Sequence, residues 1–250
     1  MARRTLWKGR GRRCRQPRLS CWQYLRGIWT GVRRPTTIFF QGATGVAAKA
    51  VFVLGDSISI HYGPYLKRML HGILDYDRKR EAGQTVDDLD QPVGANGEDS
   101  RKVLEFLRDP GAGRIECDVL LLNSGLHDLR TCPNRQEQQV PLGEYRRNLR
   151  SILQLVGDMG VAAMWVRTTP VDDERHNSRQ VGFERYNRDV IRYNAAADEI
   201  VGENQVPVVD LYTFTRNLGD GVYCDHVHFT DEVRALQAAF IAGHLVCLDL

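Results

Sequence analysis

The first fifty residues contain no aspartate or glutamate, although they carry ten arginines and two lysines. A stretch so one-sided does not resemble the mixed surface of a folded domain; it reads as a tail. The remaining 200 residues hold 22 basic and 31 acidic side chains, so the overall charge of +3 conceals a body near −9. Residues 1–48 are therefore expected to form a basic extension, flexible or targeting, and residues 49–250 one main domain. Contact with nucleic acid or anionic membrane lies within the chemistry of such a tail, but charge alone assigns neither. No Pro-, Gly- or Ser-rich linker divides the later sequence and no fixed-period repeat occurs in it. Long apolar runs are missing as well. In TTIFFQGATGVAAKA the apolar stretch is short and is broken by Gln41 and Gly42, too little for a bilayer-spanning helix and poor as a secretory signal. An Arg-rich, acid-free start is compatible with a mitochondrial transit segment. Close cysteine pairs are absent: Cys14, Cys21, Cys117, Cys132, Cys224 and Cys247 are scattered, without a CxxC metal pattern. Reduced thiols follow, with a cytoplasmic setting the leading expectation and organellar targeting by the basic N-terminus the alternative. Residues 51–250 also lack basic–aromatic patterning, so no specific nucleic-acid partner is expected.

What is present is a 42% hydrophobic content, enough for a substantial core, arranged in alternating periods. AVFVL (50–54) reads as a buried strand. YGPYLKRMLHGIL (62–74) has helical spacing, with Pro64 tolerable near its start. Residues 75–100 are polar and supply a short strand plus a long loop, or mostly loop. SRKVLEFLRDPGAG then forms a helix whose apolar side is Val103, Leu104 and Leu107 and whose stop is Pro110 with Gly111. DVLLL is a strand, LGEYRRNLRSILQLVGDMG a helix, and VAAMWVRTTP a strand broken by Pro170. Residues 181–203 read as a helix, QVPVVDLY as a strand, and residues 229–246 as a helix capped by Thr230. Repeated strand–helix order argues for a three-layer α/β/α, flavodoxin-like domain with a mostly parallel central sheet; there are too few strands for a barrel.

The strand exits carry chemistry-bearing residues. The first is GDS, where Gly55 permits a tight bend, Asp56 can fix backbone groups and Ser57 can present a hydroxyl above the sheet; helix capping would use the same residues. The last is CDHVHFT, in which Asp225 and His228 are spaced so that the carboxylate orients one imidazole nitrogen while the other faces a serine. His226 is the alternative base, less suited because it adjoins Asp225. Cys224 as a nucleophile competes with a packed thiol. Asp225, His226 and His228 are potential metal ligands, but without HExxH or a second local cluster no metal is expected. In the middle exits, the Gly97 N–H is a candidate oxyanion donor beside the Ser57 N–H, and NSGLHDL places Asn123, Gly125, His127 and Asp128 beyond a strand. For Gly97 a conformational role and for His127 a structural hydrogen bond stay open.

GDS at Ser57, the Gly97 turn, NSGLHD and DHVH together resemble the SGNH hydrolase superfamily, the GDSL-like esterases and lipases, over residues 50–247. The resemblance implies a flavodoxin-like α/β/α hydrolase with Ser57 as nucleophile, His228 as base, Asp225 as its orienting acid and Gly97 in the oxyanion hole. Where that family has Gly-x-Asn-Asp, this chain has Gly125, Leu126, His127 and Asp128, so an imidazole stands in place of the usual oxyanion asparagine. A ring N–H can replace an amide N–H, with different length, tautomer and charge. Asn123 is a candidate substrate-binding residue that could compensate; Asp128 orders the turn.

The expected reaction is hydrolysis of a carboxylic ester through an acyl-enzyme, with no cofactor. The expected substrate is a small-molecule ester, of a short acyl group or an acylated carbohydrate. Arg175, His176 and Arg179 are available for a polar rim, or belong to a solvated connection. The alternative from a different class is a noncatalytic α/β interaction domain that keeps a hydrolase-like site.

Overall fold

A parallel sheet needs crossovers long enough to return the chain to the same edge, and the alternating periods of this sequence provide them. The computed structural model describes residues 49–80, 94–109 and 115–248, all within one structural unit, Ala47–Leu250. The basic extension, residues 1–48, lies outside the described residues, as do Pro110 and Gly111. In chain order the described elements are β1 (Ala50–Leu54), α1 (Ser57–Leu70), β2 (Asp75–Arg78), α2 (Ser100–Arg108), β3 (Val119–Leu122), β4 (Thr131–Cys132), β5 (Glu137–Gln138), α3 (Leu142–Asp158), β6 (Ala162–Val166), α4 (Asp173–Asn177), α5 (Asn187–Glu203), β7 (Val208–Val209), α6 (Leu211–Arg216) and α7 (Asp231–Val246).

The main sheet has the order β2-β1-β3-β6-β7 and every neighbouring pair in it is parallel. This is the doubly wound arrangement, a three-layer α/β/α fold of flavodoxin type. The central strand β3 reads VLLL and is buried at every position, as a strand covered on both faces must be. Burying each of those leucines contributes roughly 2–3 kcal/mol. One helical layer joins α1 to α7 and α7 to α6; the other joins α2 to α3 and α3 to α5. All five strands leave the sheet at one edge, so residues following β1, β3 and β6 come together there. Because α7 packs along α1, the segment just before α7 arrives beside the first residue of α1.

Several boundaries differ from the sequence expectation. Helix α1 begins at Ser57 rather than near Tyr62, so Pro64 lies inside it. The DYDR segment is a strand, paired with β1 from Ala50↔Asp75 to Val53↔Arg78. Residues 181–186 are loop rather than helix: Gly182 takes a positive φ and Glu184 bridges Thr131, which pins the segment to β4. Strand β7 is reduced to two residues because Asp210 caps α6, accepting the Thr213 N–H at 3.0 Å. Thr230 is the N-cap residue of α7, but its hydroxyl makes no capping bond; Asp231 and Glu232 supply negative charge to the first turn instead.

Candidate active site

The turn from β1 into α1 sets the first group. Asp56 is the N-cap, accepting the Ile58 N–H at 2.9 Å, and its backbone carbonyl takes the Ser59 hydroxyl at 2.6 Å. Ser57 is then the first helical residue, where a backbone N–H has no intrahelical acceptor. Burial raises the Asp56 carboxyl, with the Ile58 N–H and the charge of Arg185 opposing.

Ser57 Oγ lies 2.9 Å from His228 Nε2, and His228 Nδ1 lies 2.7 Å from Asp225 Oδ2. A carboxylate can only accept, so Nδ1 carries the ring proton and Nε2 is left to accept from the serine hydroxyl. The other Asp225 oxygen accepts the N–H groups of Val227 at 2.8 Å and His228 at 2.6 Å, so one carboxylate fixes both the loop and the ring. Partial burial works against the charged form of Asp225, but the bonds from the His228 ring, the His228 N–H and the Val227 N–H outweigh it and hold the carboxyl below the usual range. The loop closes through Cys224 N–H to the His228 carbonyl at 2.9 Å. Ser57 is 4% exposed and His228 2%.

The neighbouring imidazoles differ in place. The His226 ring stands edge-on to His176 at 4.8 Å and lies 6.2 Å from His228, whose Nε2 is the group at Ser57. His61, one helical turn after Ser57, packs its ring 4.8 Å from that of His228, and burial followed by the charge of His228 pushes it down to about 3. Cys224 is exposed rather than packed, with Arg234 donating to its sulfur at 3.4 Å. Cys117, Cys132 and Cys247 are also free thiols, while Cys14 and Cys21 lie outside the described residues. Among the described residues no group of three or more His, Cys, Asp or Glu side chains is arranged to hold a metal ion.

The middle exits need one correction. The Gly97 N–H is donated to the Gly55 carbonyl at 2.8 Å, so it is not directed at an incoming oxyanion. Gly97 is needed for close approach: a Cβ there would lie 3.0 Å from the Gly55 carbonyl oxygen. The following Glu98 takes φ 57°, its N–H bonded to Asn96 Oδ1 at 2.9 Å. Asn123 donates from Nδ2 to the Val166 carbonyl at 2.9 Å, tying the exit of β3 to that of β6.

Gly125 has φ 157°, and a Cβ would fall 2.2 Å from Thr168 Oγ1. His127 beyond it is 2% exposed, and its Nδ1 is buried without a hydrogen-bond partner. Burial, then the charges of Arg130, Arg185 and His228, hold the imidazole well below its ordinary range, so it is neutral. Asp128 accepts the Ser100 N–H at 2.9 Å and the Ser124 hydroxyl at 2.7 Å, coupling this turn to the start of α2; burial pushes its carboxyl up to about 7 against those bonds.

Of the expected rim residues, His176 is fully buried against His226 and Phe183 rather than facing solvent. Arg175 and Arg179 do face solvent, in a pocket of about 590 Å³ that reaches Asp225 and His226. The sequence reading missed Arg185, whose Nε donates to the Leu126 carbonyl at 2.8 Å. It missed His61 too, although its position four residues after Ser57 signals a shared helix face.

The family model described as the GDSL-like Lipase/Acylhydrolase family matches residues 53–236. None of the curated proteins matches the chain. Solved structures similar to it include a lipase/acylhydrolase from Enterococcus faecalis, 17% identical over 79% of this chain and 95% of that one, with a TM-score of 0.60. An acetyl xylan esterase is 14% identical, with 78% and 99% covered and a TM-score of 0.58. A GDSL-like lipase from Bacteroides thetaiotaomicron is 15% identical, with 79% and 87% covered and a TM-score of 0.58. At such identities the likeness concerns the fold.

Proposed function

Because this chain belongs to the GDSL-like lipase/acylhydrolase family and is a serine-based ester hydrolase working through an acyl-enzyme, we propose that Ser57 is its nucleophile, His228 its base and Asp225 the acid that orients the base. The observation that carries the assignment is the continuous line from Ser57 Oγ to His228 at 2.9 Å and on to Asp225 at 2.7 Å. Ser57 Oγ attacks the acyl carbon while its proton passes to His228 Nε2. The imidazolium so formed keeps its Nδ1–H on the Asp225 carboxylate. The carbonyl oxygen becomes an oxyanion, held by the Ser57 N–H at the helix start and by a ring N–H of neutral His127. Gly97 serves this hole by shaping the turn, its own N–H being engaged with Gly55. The imidazolium proton then goes to the leaving alcohol. Water, deprotonated by His228, attacks the acyl carbon and releases the acid with Ser57 restored.

The substrate class is a small-molecule ester, with short acyl groups on a carbohydrate the preferred form. The near-closed nucleophile, 4% exposed, favours a short acyl chain, and the charged side chains near Asp225 favour a polar alcohol portion. Asn123 contributes by holding the two strand exits together rather than by touching substrate. Among the described residues no helix is long and apolar enough to cross a membrane. A serine-reactive phosphonate tests the assignment: peptide mass spectrometry should find the label on Ser57 in the wild type and little on the His228→Ala protein. Labelling elsewhere would remove Ser57 from its role, equal labelling of Ser57 in both proteins would remove His228 from its own, and no labelling of the wild type would leave a noncatalytic domain as the better account.

A further inference from the structure

Arg185 is 2% exposed, and a guanidinium withdrawn that far from water is costly unless its charge and its donors are used. Its Nε donates to the Leu126 carbonyl at 2.8 Å, inside the turn Gly125–Asp128 that carries His127. Its charge acts on Asp56, on His127 and on His176. The guanidinium lies 4.8 Å from the Phe183 ring centroid, and the Thr131↔Glu184 bridge fixes the adjacent chain, so the group is held rather than free to swing.

The turn itself leaves little freedom. Gly125 abuts Thr168, Asp128 is bonded to Ser100 and Ser124, and Arg185 secures the carbonyl between them. What stands at the centre is an imidazole with a buried Nδ1 that has no partner, in the position where related hydrolases have an asparagine. A neutral imidazole offers one N–H; burial and then the charges of Arg130 and Arg185 disfavour its protonation, and those fixed charges add to the potential that an oxyanion meets.

We infer that Arg185 is a positioning residue for the oxyanion, locking the turn that presents His127 through the Leu126 carbonyl and adding a permanent positive charge to the turn. Arg185 gains and loses no proton in the cycle. Its effect grows as negative charge develops on the carbonyl oxygen, so it acts on the transition state more than on the bound ester. The inference rests on the roles given above to Ser57 and His127.

Two substitutions separate its charge from its hydrogen bond. Arg185→Gln keeps a donor for the Leu126 carbonyl without charge; Arg185→Lys keeps the charge without the planar fork. With an aryl acetate as probe, kcat of the Gln protein should fall about 30- to 300-fold with KM changed less than about threefold, and the rate of phosphonate labelling at Ser57 should fall in parallel. The Lys protein should retain at least about a tenth of the wild-type kcat. Wild-type kcat in folded Arg185→Gln, or a Lys protein as impaired as the Gln protein, overturns the inference. In the wild type, the His127 ring should be neutral at pH 7 by NMR, a measurement that stands even where a variant does not fold; a ring protonated at pH 7 overturns the inference. Failure of the wild type to label at Ser57 would overturn the nucleophile assignment itself. Equal labelling of wild type and Arg185→Gln would overturn only the role of Arg185.

Discussion

Replacing Asp225 with Asn probes the base through a single atom. Asn Oδ1 can still accept the Val227 and His228 N–H groups, at 2.8 and 2.6 Å in the wild type, so the loop should keep its shape. The amide nitrogen, however, takes the place of Oδ2 and donates to His228 Nδ1. That forces the ring proton onto Nε2, which then faces Ser57 Oγ with a hydrogen instead of a lone pair. The charge is lost as well. The Asp225 side chain is 33% exposed, so a water-softened dielectric applies. At about 4 Å and an effective dielectric of about 20, the imidazolium–carboxylate attraction is about 4 kcal/mol, equivalent to about 10³-fold in rate. The wrong tautomer adds to this, and a drop of about 10³- to 10⁴-fold in kcat is expected. The assay is hydrolysis of an aryl acetate at pH 7.5, with circular dichroism showing that the protein is folded. A folded Asp225→Asn protein with kcat within about tenfold of wild type would refute the relay, since neither the tautomer nor the charge would then matter.

Two further outcomes follow from the turn around His127. Gly125→Ala combines φ 157° with a Cβ 2.2 Å from Thr168 Oγ1, so a loss of about 2–4 kcal/mol is expected in urea unfolding; an unchanged midpoint would mean that the turn relaxes freely. Asp128 is buried and pushed up to about 7, above the value of an unfolded aspartate, so between about pH 4 and 7 the folded chain binds one proton more than the unfolded chain. Stability attributable to this group is therefore present below pH 4 and is lost as pH rises towards 7. Asp128→Asn, which can still accept from Ser100 N–H, should flatten that part of the stability–pH curve; an unchanged slope measured by urea unfolding at pH 5 and 7.5 would contradict it.

The fold was legible because its apolar residues change period at each element: VLLL admits burial on both faces, and the helical segments between strands leave only a parallel sheet. The residues brought together at the Ser57–His228–Asp225 line were legible for a related reason. Each sits at a polar break directly after or before a strongly periodic segment, and the Asp225–His228 spacing carries its own geometry. What escaped was set by contacts between segments. Whether the Gly97 N–H is open or engaged depends on the Gly55 carbonyl, a backbone group 42 residues away that no side-chain pattern reports. Residues 181–186 have helical spacing, yet the Thr131↔Glu184 bridge draws them out of the helix. That same bridge places Phe183 against His176 and Arg185 under Leu126, so a local propensity lost to a tertiary contact is what delivers a buried cation to the site. The His127 substitution and Arg185 are then physically linked. A ring kept neutral in a buried turn is served by the positive charges of Arg130 and Arg185, and the chain brings Arg185 there by starting α5 at Asn187, six residues later than its sequence period begins.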